Sequence, residues 1–267
     1  MQLFDTHFHW DRKTKPEIIV EEAKQNGVEY AVCVGGDYKS SVESLNFVDP
    51  FDNYWFSAGV HPHEAAKFNG DLTEFNELFS RPKMVAVGEI GLDFFYGFSD
   101  RKSQLKVMEI FTERALSLDK PLIIHCRDKD EKYDAYKDAY QILRDFAEDG
   151  GKFVIHCFTG SSFWLDKFLE LDAYIGITGI VTFPAAENIR KLVPVIPNER
   201  LLIETDSPYL APKPYRGKIN FPKYLIEVAK KISDLKSMNI EKLSGLTTAN
   251  AMKFYGLNLV ENLGGKT

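Results

Sequence analysis

"PLIIHCR", residues 121–127, is followed further along the chain by the similar segment "KFVIHCF", residues 152–158. Both are short apolar runs rich in β-branched residues, which is typical of buried strands. A helical pattern lies between them at residues 131–149, and it closes with the glycines of "EDGG" (148–151), as the C-terminus of a helix often does. A strand, a helix and a second strand in this order predict two parallel strands joined by a crossover helix.

The same alternation extends along the whole chain. Helical patterns, for example at residues 101–119, 131–149 and 184–193, separate the short runs. Eight strands that alternate with helices predict an α/β fold, and their number favours a (β/α)8 TIM barrel over the alternative, a doubly wound open sheet. The eight runs lie at residues 2–9, 30–36, 54–61, 84–91, 121–127, 152–158, 173–179 and 201–208.

The composition is that of an ordinary globular protein, with 44% hydrophobic and 27% charged residues. No linker, internal repeat or low-complexity segment interrupts the pattern, so we expect a single domain over residues 1–267. The formal net charge of -6 argues against a protein that coats nucleic acid non-specifically, because such binding depends on many Lys and Arg contacts to phosphate.

The chain has three cysteines, no CxxC motif, no apolar run of membrane-spanning length and no N-terminal leader pattern. We therefore expect a cytoplasmic protein that does not associate with membranes. The sequence leaves the oligomeric state open, and we expect a monomer. Cys126 and Cys157 each follow a histidine directly, so strand alternation predicts that both point outward against the helices.

All the histidines lie at or near the C-terminal ends of predicted strands. In a TIM barrel this end carries the active site. Alternation places Asp5, His7 and His9 on one face of the first strand, where two imidazoles could bind one metal ion. The alternative for a single histidine is a core residue bonded to a backbone carbonyl. The six histidines are His7, His9, His61, His63, His125 and His156.

Carboxylates end two of the same apolar runs. Glu89 closes "VAVGE", and Glu204 and Asp206 close "LLIETD". A carboxylate is costly to bury unless it is paired or bound to a metal, and a salt bridge to an arginine is the alternative. Six ligands with one bridging carboxylate suit two metal ions, and Glu89 is the predicted bridge. The six predicted ligands are His7, His9, Glu89, His125, His156 and Asp206.

Seven segments resemble those of the TatD family of metal-dependent deoxyribonucleases, a branch of the amidohydrolase-like TIM barrels. They occur in the order of that family and cover nearly the whole chain. Two small departures are Thr159, where serine is common, and Phe94, where tyrosine is common. The segments are "DTHFH", "GVHPHE", "GEIGLD", "PLIIHCRD", "HCFTG", "GITGIVTF" and "ETDSPYLAPKPYRGKIN".

The resemblance implies a TIM barrel with one or two divalent metal ions and gives ligand roles to the same six residues. It also implies hydrolysis of phosphodiester bonds in DNA, in several members as a 3′ exonuclease on single strands. The family is associated with magnesium and with zinc. The imidazoles favour zinc, manganese or iron over magnesium, which prefers oxygen ligands.

Roles in catalysis and substrate binding follow from this hypothesis. Glu89 would bridge the metal ions, and Asp206 would also accept a proton from the attacking water. Arg127 and Arg216 are predicted to contact phosphate, as are His61 and His63. Aromatic residues in "DFFYGF" (93–98) would stack on bases or, alternatively, pack as a lid.

Two other functions remain open from the sequence. One is hydrolysis of a small phosphoester, ester or amide on the same metal site. The other is a scaffold with a structural metal, which is the weakest hypothesis because no expected ligand is missing. The predicted partner is DNA, at single-stranded ends.

Overall fold

The computed structural model describes residues 1–129 and 132–257 of the chain. Its eight strands are parallel and pair in chain order, from the first to the eighth. This order confirms the predicted (β/α)8 TIM barrel and shows that the doubly wound alternative, in which the strand order reverses, is wrong. The strands are β1 (Leu3–Phe8), β2 (Val28–Val34), β3 (Tyr54–Ala58), β4 (Met84–Asp93), β5 (Leu122–Arg127), β6 (Phe153–Ile155), β7 (Tyr174–Ile177) and β8 (Leu201–Ile203).

Helices alternate with these strands and pack outside them. The three predicted helical patterns correspond to α4 (Arg101–Leu118), α5 (Asp134–Glu148) and α7 (Glu187–Leu192). Asp100 caps α4, because its side chain accepts the N–H of Ser103 at 3.0 Å. None of the helices in the described part of the chain is long and apolar enough to cross a membrane. The α-helices are α1 (Pro16–Gln25), α2 (Tyr38–Val48), α3 (Asn76–Phe79), α4 (Arg101–Leu118), α5 (Asp134–Glu148), α6 (Ser162–Glu170), α7 (Glu187–Leu192), α8 (Leu225–Leu235) and α9 (Ile240–Tyr255).

The N-terminal end of the barrel is plugged. Helix α9 lies there, and its Ser244 and Thr248 side chains both donate to the carbonyl of Gln2. Inside the barrel, the ring of Phe4 stacks at 5.8 Å on Trp55 and at 5.8 Å on Tyr255 of α9. A second apolar layer fills the space between the barrel and its helices. The C-terminal ends of the strands are therefore left as the open mouth.

The barrel closes between β1 and the segment after β8. The N–H of Asp206 donates to the carbonyl of His7 at 2.9 Å, and the N–H of His9 donates to the carbonyl of Ser207 at 2.6 Å. Both bonds lie at the C-terminal mouth. Closure of the barrel and placement of the histidines of β1 thus depend on the same backbone contacts.

Strand alternation fails near the end of β1. Pairing with β2 passes from Asp5–Ala31 to Phe8–Cys33, so β1 carries one extra residue in this stretch. The Asp5 carboxylate is fully buried and accepts the backbone N–H of Thr205 at 2.9 Å. The prediction that Asp5 shares a face with the two histidines is therefore wrong, because the bulge changes the alternation.

Cys126 and Cys157, which each follow a histidine, differ in their burial. Cys126, on β5, is buried in the outer apolar layer, as predicted. Cys157 is partly exposed, and its Sγ lies 3.4 Å from Oγ1 of Thr178. The outward orientation predicted for Cys157 is wrong because β6 already ends at Ile155, and Cys157 has a left-handed backbone with φ of 47°.

The variant Phe4→Ala should lose about 3–5 kcal/mol of unfolding free energy, the usual cost of deleting a buried phenylalanine ring. Urea unfolding followed by circular dichroism measures this loss. The matched control is Phe163→Ala on α6, where the ring is 58% exposed, and its change should stay within about 0.5 kcal/mol. Equal losses in the two variants would contradict the structural role of the Phe4 plug.

Candidate metal centre

The six predicted ligands converge at the C-terminal mouth. They lie on or directly after β1, β4, β5, β6 and β8. The mouth opens into a cavity of about 1230 Å³. Among the described residues, three groups of side chains could each hold a metal ion, because the ligand atoms within each group lie within 4.8 Å of one another. The groups are His7, His9 and Glu89; His7, His156 and Asp206; and His61, Glu89 and His125.

Glu89 is the centre of this arrangement, and only 2% of the residue is exposed. Its Oε2 lies 3.4 Å from Nε2 of His7 and 3.5 Å from Nε2 of His9. Its Oε1 lies 2.7 Å from Nδ1 of His125 and 3.8 Å from Nε2 of His156. The two oxygens of one carboxylate therefore face two different pairs of imidazoles.

Asp206 faces the cluster from the opposite strand end. Its Oδ1 lies 3.6 Å from Nε2 of His9 and 3.8 Å from Nε2 of both His7 and His156. Burial raises the pKa of Asp206 to about 6. The side chain keeps 13% exposure, so it remains accessible from the cavity.

Three imidazoles are oriented by groups behind them. His9 donates from Nδ1 to the carbonyl of Val34 at 2.8 Å, and Nε2 of His125 lies 3.0 Å from Oδ2 of Asp93. Nδ1 of His156 lies 2.8 Å from Oε1 of Glu204. Burial opposes a charge on His125 and His156, but the carboxylates beside them outweigh burial and raise their pKa values to about 9 and about 10. A bound cation would replace the proton on the nitrogen that faces the cluster, and the acceptor behind each ring would keep the other proton in place.

The imidazole nitrogens that face the cluster lie close enough together to share a cation. The Nε2 atoms of His7 and His9 lie only 3.1 Å apart. Burial, followed by the nearby His156, lowers the pKa of His7 to about 3, so this ring is neutral at neutral pH. Burial disfavours the charged form of Glu89, yet the surrounding imidazoles of His61, His156 and His7 hold the pKa of this carboxyl well below its usual value. An ionised carboxylate among imidazoles that lose their front protons to a cation is the donor set of a divalent metal site.

His61 differs from the other imidazoles. Its Nδ1 accepts the backbone N–H of His63 at 3.1 Å, so the neutral ring carries its proton on Nε2. That nitrogen lies 3.7 Å from Oε1 of Glu89. Burial lowers the pKa of His61 well below its usual value, which keeps the ring neutral. His61 therefore presents Nε2 to the centre, where this atom lies 3.3 Å from Nδ1 of His125 and belongs to one of the three groups of possible ligand atoms.

Asp93, the last residue of β4, is a site residue that the sequence reasoning did not assign. Its Oδ2 lies 3.0 Å from Nε2 of His125 and 3.0 Å from Nε2 of His63. Burial opposes its charge, but the hydrogen bonds from the two histidines outweigh burial and hold the pKa of Asp93 below its usual value. The available signal was its position at the end of the segment "GEIGLD". His63 is thus bound to a carboxylate at the rim of the cavity.

Residues 94–98, the aromatic loop, follow β4 beside the centre. Phe98 is 67% exposed, and its ring lies 4.8 Å from the ring of His63. The Arg127 guanidinium lies over the rings of Phe95 at 4.3 Å and Tyr96 at 4.8 Å. Arg127 makes no ion pair with a carboxylate of the described residues, so the salt-bridge alternative is not observed there. The loop presents an open aromatic surface to the cavity.

Arg216 lies apart from the other predicted substrate contacts. Its guanidinium lies 3.8 Å from the ring centre of Phe183, and it does not line the cavity. Its contact with substrate stays a prediction that this geometry does not support.

Comparison with known proteins agrees with the fold. Residues 4–256 match the model of a family described as TatD related DNase. A relative from Bacillus subtilis (strain 168), named "Uncharacterized metal-dependent hydrolase YabD", is 36% identical over 260 residues, which cover 96% of this chain and 100% of the relative. A relative from Citrobacter rodentium (strain ICC168), named "3'-5' ssDNA/RNA exonuclease TatD", is 34% identical over 247 residues, which cover 90% of this chain and 92% of the relative.

Solved structures share the architecture. The crystal structure of YJJV, a TatD homolog from Escherichia coli K12, superposes with a TM-score of 0.86 over 96% of this chain and 98% of that chain, at 24% identity. This likeness concerns the fold. The family match over nearly the full length, together with relatives above 30% identity, confirms the resemblance read from the motifs: the chain belongs to the TatD related DNase family.

Proposed function

We propose that the protein is a metal-dependent nuclease that removes nucleotides from the 3′ ends of single-stranded DNA. The observation that carries the proposal is that a two-sided cluster of imidazoles and carboxylates opens directly onto an exposed aromatic loop. The first feature suits phosphoester hydrolysis with bound cations, and the second suits unpaired bases. The name of the Citrobacter relative, a 3'-5' ssDNA/RNA exonuclease, supports the same substrate class and direction.

The proposed ligand roles follow from the two carboxylate oxygens of Glu89, which lie near different histidines. His7, His9 and Asp206 would hold one cation with Oε2, and His125 and His156 would hold a second with Oε1. Such paired sites place their ions about 3.5–4 Å apart. Because imidazoles dominate the donor set, we propose Zn²⁺ or Mn²⁺ in preference to Mg²⁺. Bound divalent cations supply charge neutralisation at phosphate and a lower pKa for bound water.

The protein's own side chains would perform the remaining work. Asp206, which faces both the cluster and the cavity, is positioned to accept a proton from the attacking water. The Nε2–H of His61 is a donor for a non-bridging phosphate oxygen. Arg127 provides a cation between this position and the aromatic loop. In this proposal catalysis depends on Asp206 and Glu89, whereas His61, His63 and Arg127 bind the substrate.

The aromatic loop accounts for a preference for unpaired strands. Phe98 stacks on Tyr96 at 5.5 Å and is 67% exposed, so the outer face of the Phe98 ring can receive a base. Bases inside a duplex are already stacked and are not available to such a surface. A strand end can enter the mouth with its phosphate near His61 and its bases on the loop.

Replacing Asp206 by alanine should lower hydrolysis by roughly 10²- to 10⁴-fold, the usual contribution of a positioned base. The assay uses metal-stripped protein, separate additions of Mg²⁺, Mn²⁺ and Zn²⁺, and single-stranded oligonucleotides labelled at the 5′ or the 3′ end. A 3′ exonuclease shortens the 5′-labelled strand stepwise and releases the 3′ label first. Asp166→Ala, at an exposed residue of α6 that does not line the cavity, is the matched control.

Absence of cleavage with every metal, from a folded and metal-loaded protein, would contradict the nuclease proposal. Hydrolysis of a small phosphoester, ester or amide by the same sample would then identify the alternative function.

Removal of the Phe98 ring should weaken single-strand binding by about 1–3 kcal/mol, the value of one stacked base. This corresponds to a roughly 5- to 150-fold higher Kd. Fluorescence anisotropy of a labelled oligonucleotide measures Kd for the proteins with and without the Phe98 ring. Both proteins also carry Asp206→Ala, which prevents digestion of the oligonucleotide. Phe163→Ala, which removes a similarly exposed ring that does not line the cavity, should leave Kd unchanged. If Phe98→Ala binds as tightly as this control, the loop does not stack on bases.

Glu204→Gln keeps the shape of the side chain but removes the charge behind His156. Loss of such a carboxylate typically lowers metal affinity by about 10- to 100-fold. Metal retained after dialysis against graded chelator, measured by mass spectrometry, reports the affinity. Glu187→Gln, on the surface of α7, is the control with the same chemical change. Equal retention by the two variants would exclude an orienting role for Glu204.

A further inference from the structure

One buried carboxylate contacts both the metal centre and the aromatic loop. The side chain of Asp93 is 0% exposed. Its Oδ2 accepts hydrogen bonds from Nε2 of His125 and of His63, each at 3.0 Å. Its Oδ1 accepts the backbone N–H groups of Phe95 and Tyr96, each at 3.0 Å. The same group therefore orients a proposed metal ligand and holds the first turn of the loop.

Asp93 is itself held in place by helix α4. Its N–H donates to Oε1 of Gln104 at 2.7 Å, and Nε2 of Gln104 donates to the carbonyls of Asp93 at 3.0 Å and Ser99 at 2.9 Å. Ser99 in turn donates from Oγ to the carbonyl of His63 at 2.9 Å. Both ends of the aromatic loop are thus fixed to one buried glutamine, and the carboxylate lies at the junction of these contacts.

We propose that Asp93 is a positioning residue that couples occupancy of the metal centre to the conformation of the aromatic loop. A cation that fixes the ring of His125 also fixes the carboxylate behind it, and the carboxylate fixes the backbone of Phe95 and Tyr96. Coupling of binding free energies is reciprocal, so a strand that orders the loop strengthens metal binding by the same factor. The proposal rests on the proposed function only where the loop is taken as the surface that binds the strand.

The hydrogen-bonding pattern requires a carboxylate at this position. All four partners of Asp93 act as donors: two backbone N–H groups and two imidazole N–H groups. An asparagine offers one acceptor oxygen and an NH₂ group, so one pair of donors would face another donor. With the NH₂ toward the histidines, His125 would move its proton to Nδ1, the nitrogen that faces Glu89, and would lose the lone pair for a cation. With the NH₂ toward the loop, the backbone of Phe95 and Tyr96 would lose its acceptor.

The test uses the full chain, stripped with chelator and reloaded with Zn²⁺ alone. Asp93→Asn should bind zinc about 10- to 100-fold more weakly at the His125 side, as expected when the group behind a ligand is lost. Hydrogen exchange of the Phe95 and Tyr96 amides should be slowed by zinc in the original protein and should no longer respond to zinc in the variant. Asp71→Asn is the matched control, because Asp71 accepts the N–H and the hydroxyl of Thr73 on the surface.

Two results would overturn the proposal. One is exchange of the loop amides that is the same with and without zinc in the original protein, a measurement that needs no variant and therefore decides the question even if Asp93→Asn fails to fold. The other is a folded Asp93→Asn protein with the zinc affinity and loop protection of Asp71→Asn. Neither readout uses nucleic acid, so failure of the nuclease proposal would leave both of them unchanged.

Discussion

Burial of the Glu89 carboxylate is the constraint on which the rest of the site depends. Removing a carboxylate from water costs several kcal/mol unless its charge is compensated. The compensation comes from imidazoles on or directly after β1, β5 and β6, and these strands are not all neighbours of β4. Only a sheet that closes on itself turns all of their ends toward one point. The stacking of the His7 and His156 rings, with centres 3.5 Å apart, is a direct consequence of this closure.

The carboxylates that orient the imidazoles also limit which residues the neighbouring strands can carry. Glu204, behind His156, is 1% exposed and fills the space next to β7. A Cβ atom at Gly176 of β7 would lie 2.6 Å from Oε1 of Glu204, so any larger residue there would displace the carboxylate from its place behind His156. Strand β7 supplies none of the six proposed ligands, yet its sequence is constrained by the charge behind one of them. The requirements of the metal centre thus extend into strands that do not touch it.

The parts of this structure that the sequence predicted are those that follow from periodicity. Eight apolar runs gave the eight strands, and polar residues at their C-terminal ends gave the convergence of the histidines with Glu89 and Asp206. The errors lie where periodicity breaks: the bulge of β1 turned Asp5 away, and the early end of β6 changed the orientation of Cys157. Asp93 was not assigned because its role depends on long-range partners, among them Gln104 on another element, which no local pattern encodes.

The charge distribution decides how an acidic protein can hold a phosphate chain. Glu89 and Asp206 would repel phosphate at the mouth, so the cations that compensate them must also create the phosphate site. The Arg127 guanidinium covers the faces of Phe95 and Tyr96, which extends positive charge toward the loop and leaves Phe98 as its most exposed ring. Attraction is therefore confined to a region large enough for the end of one strand. Binding along a duplex would need many basic contacts to phosphate, and a chain with a net charge of -6 is poorly suited to provide them.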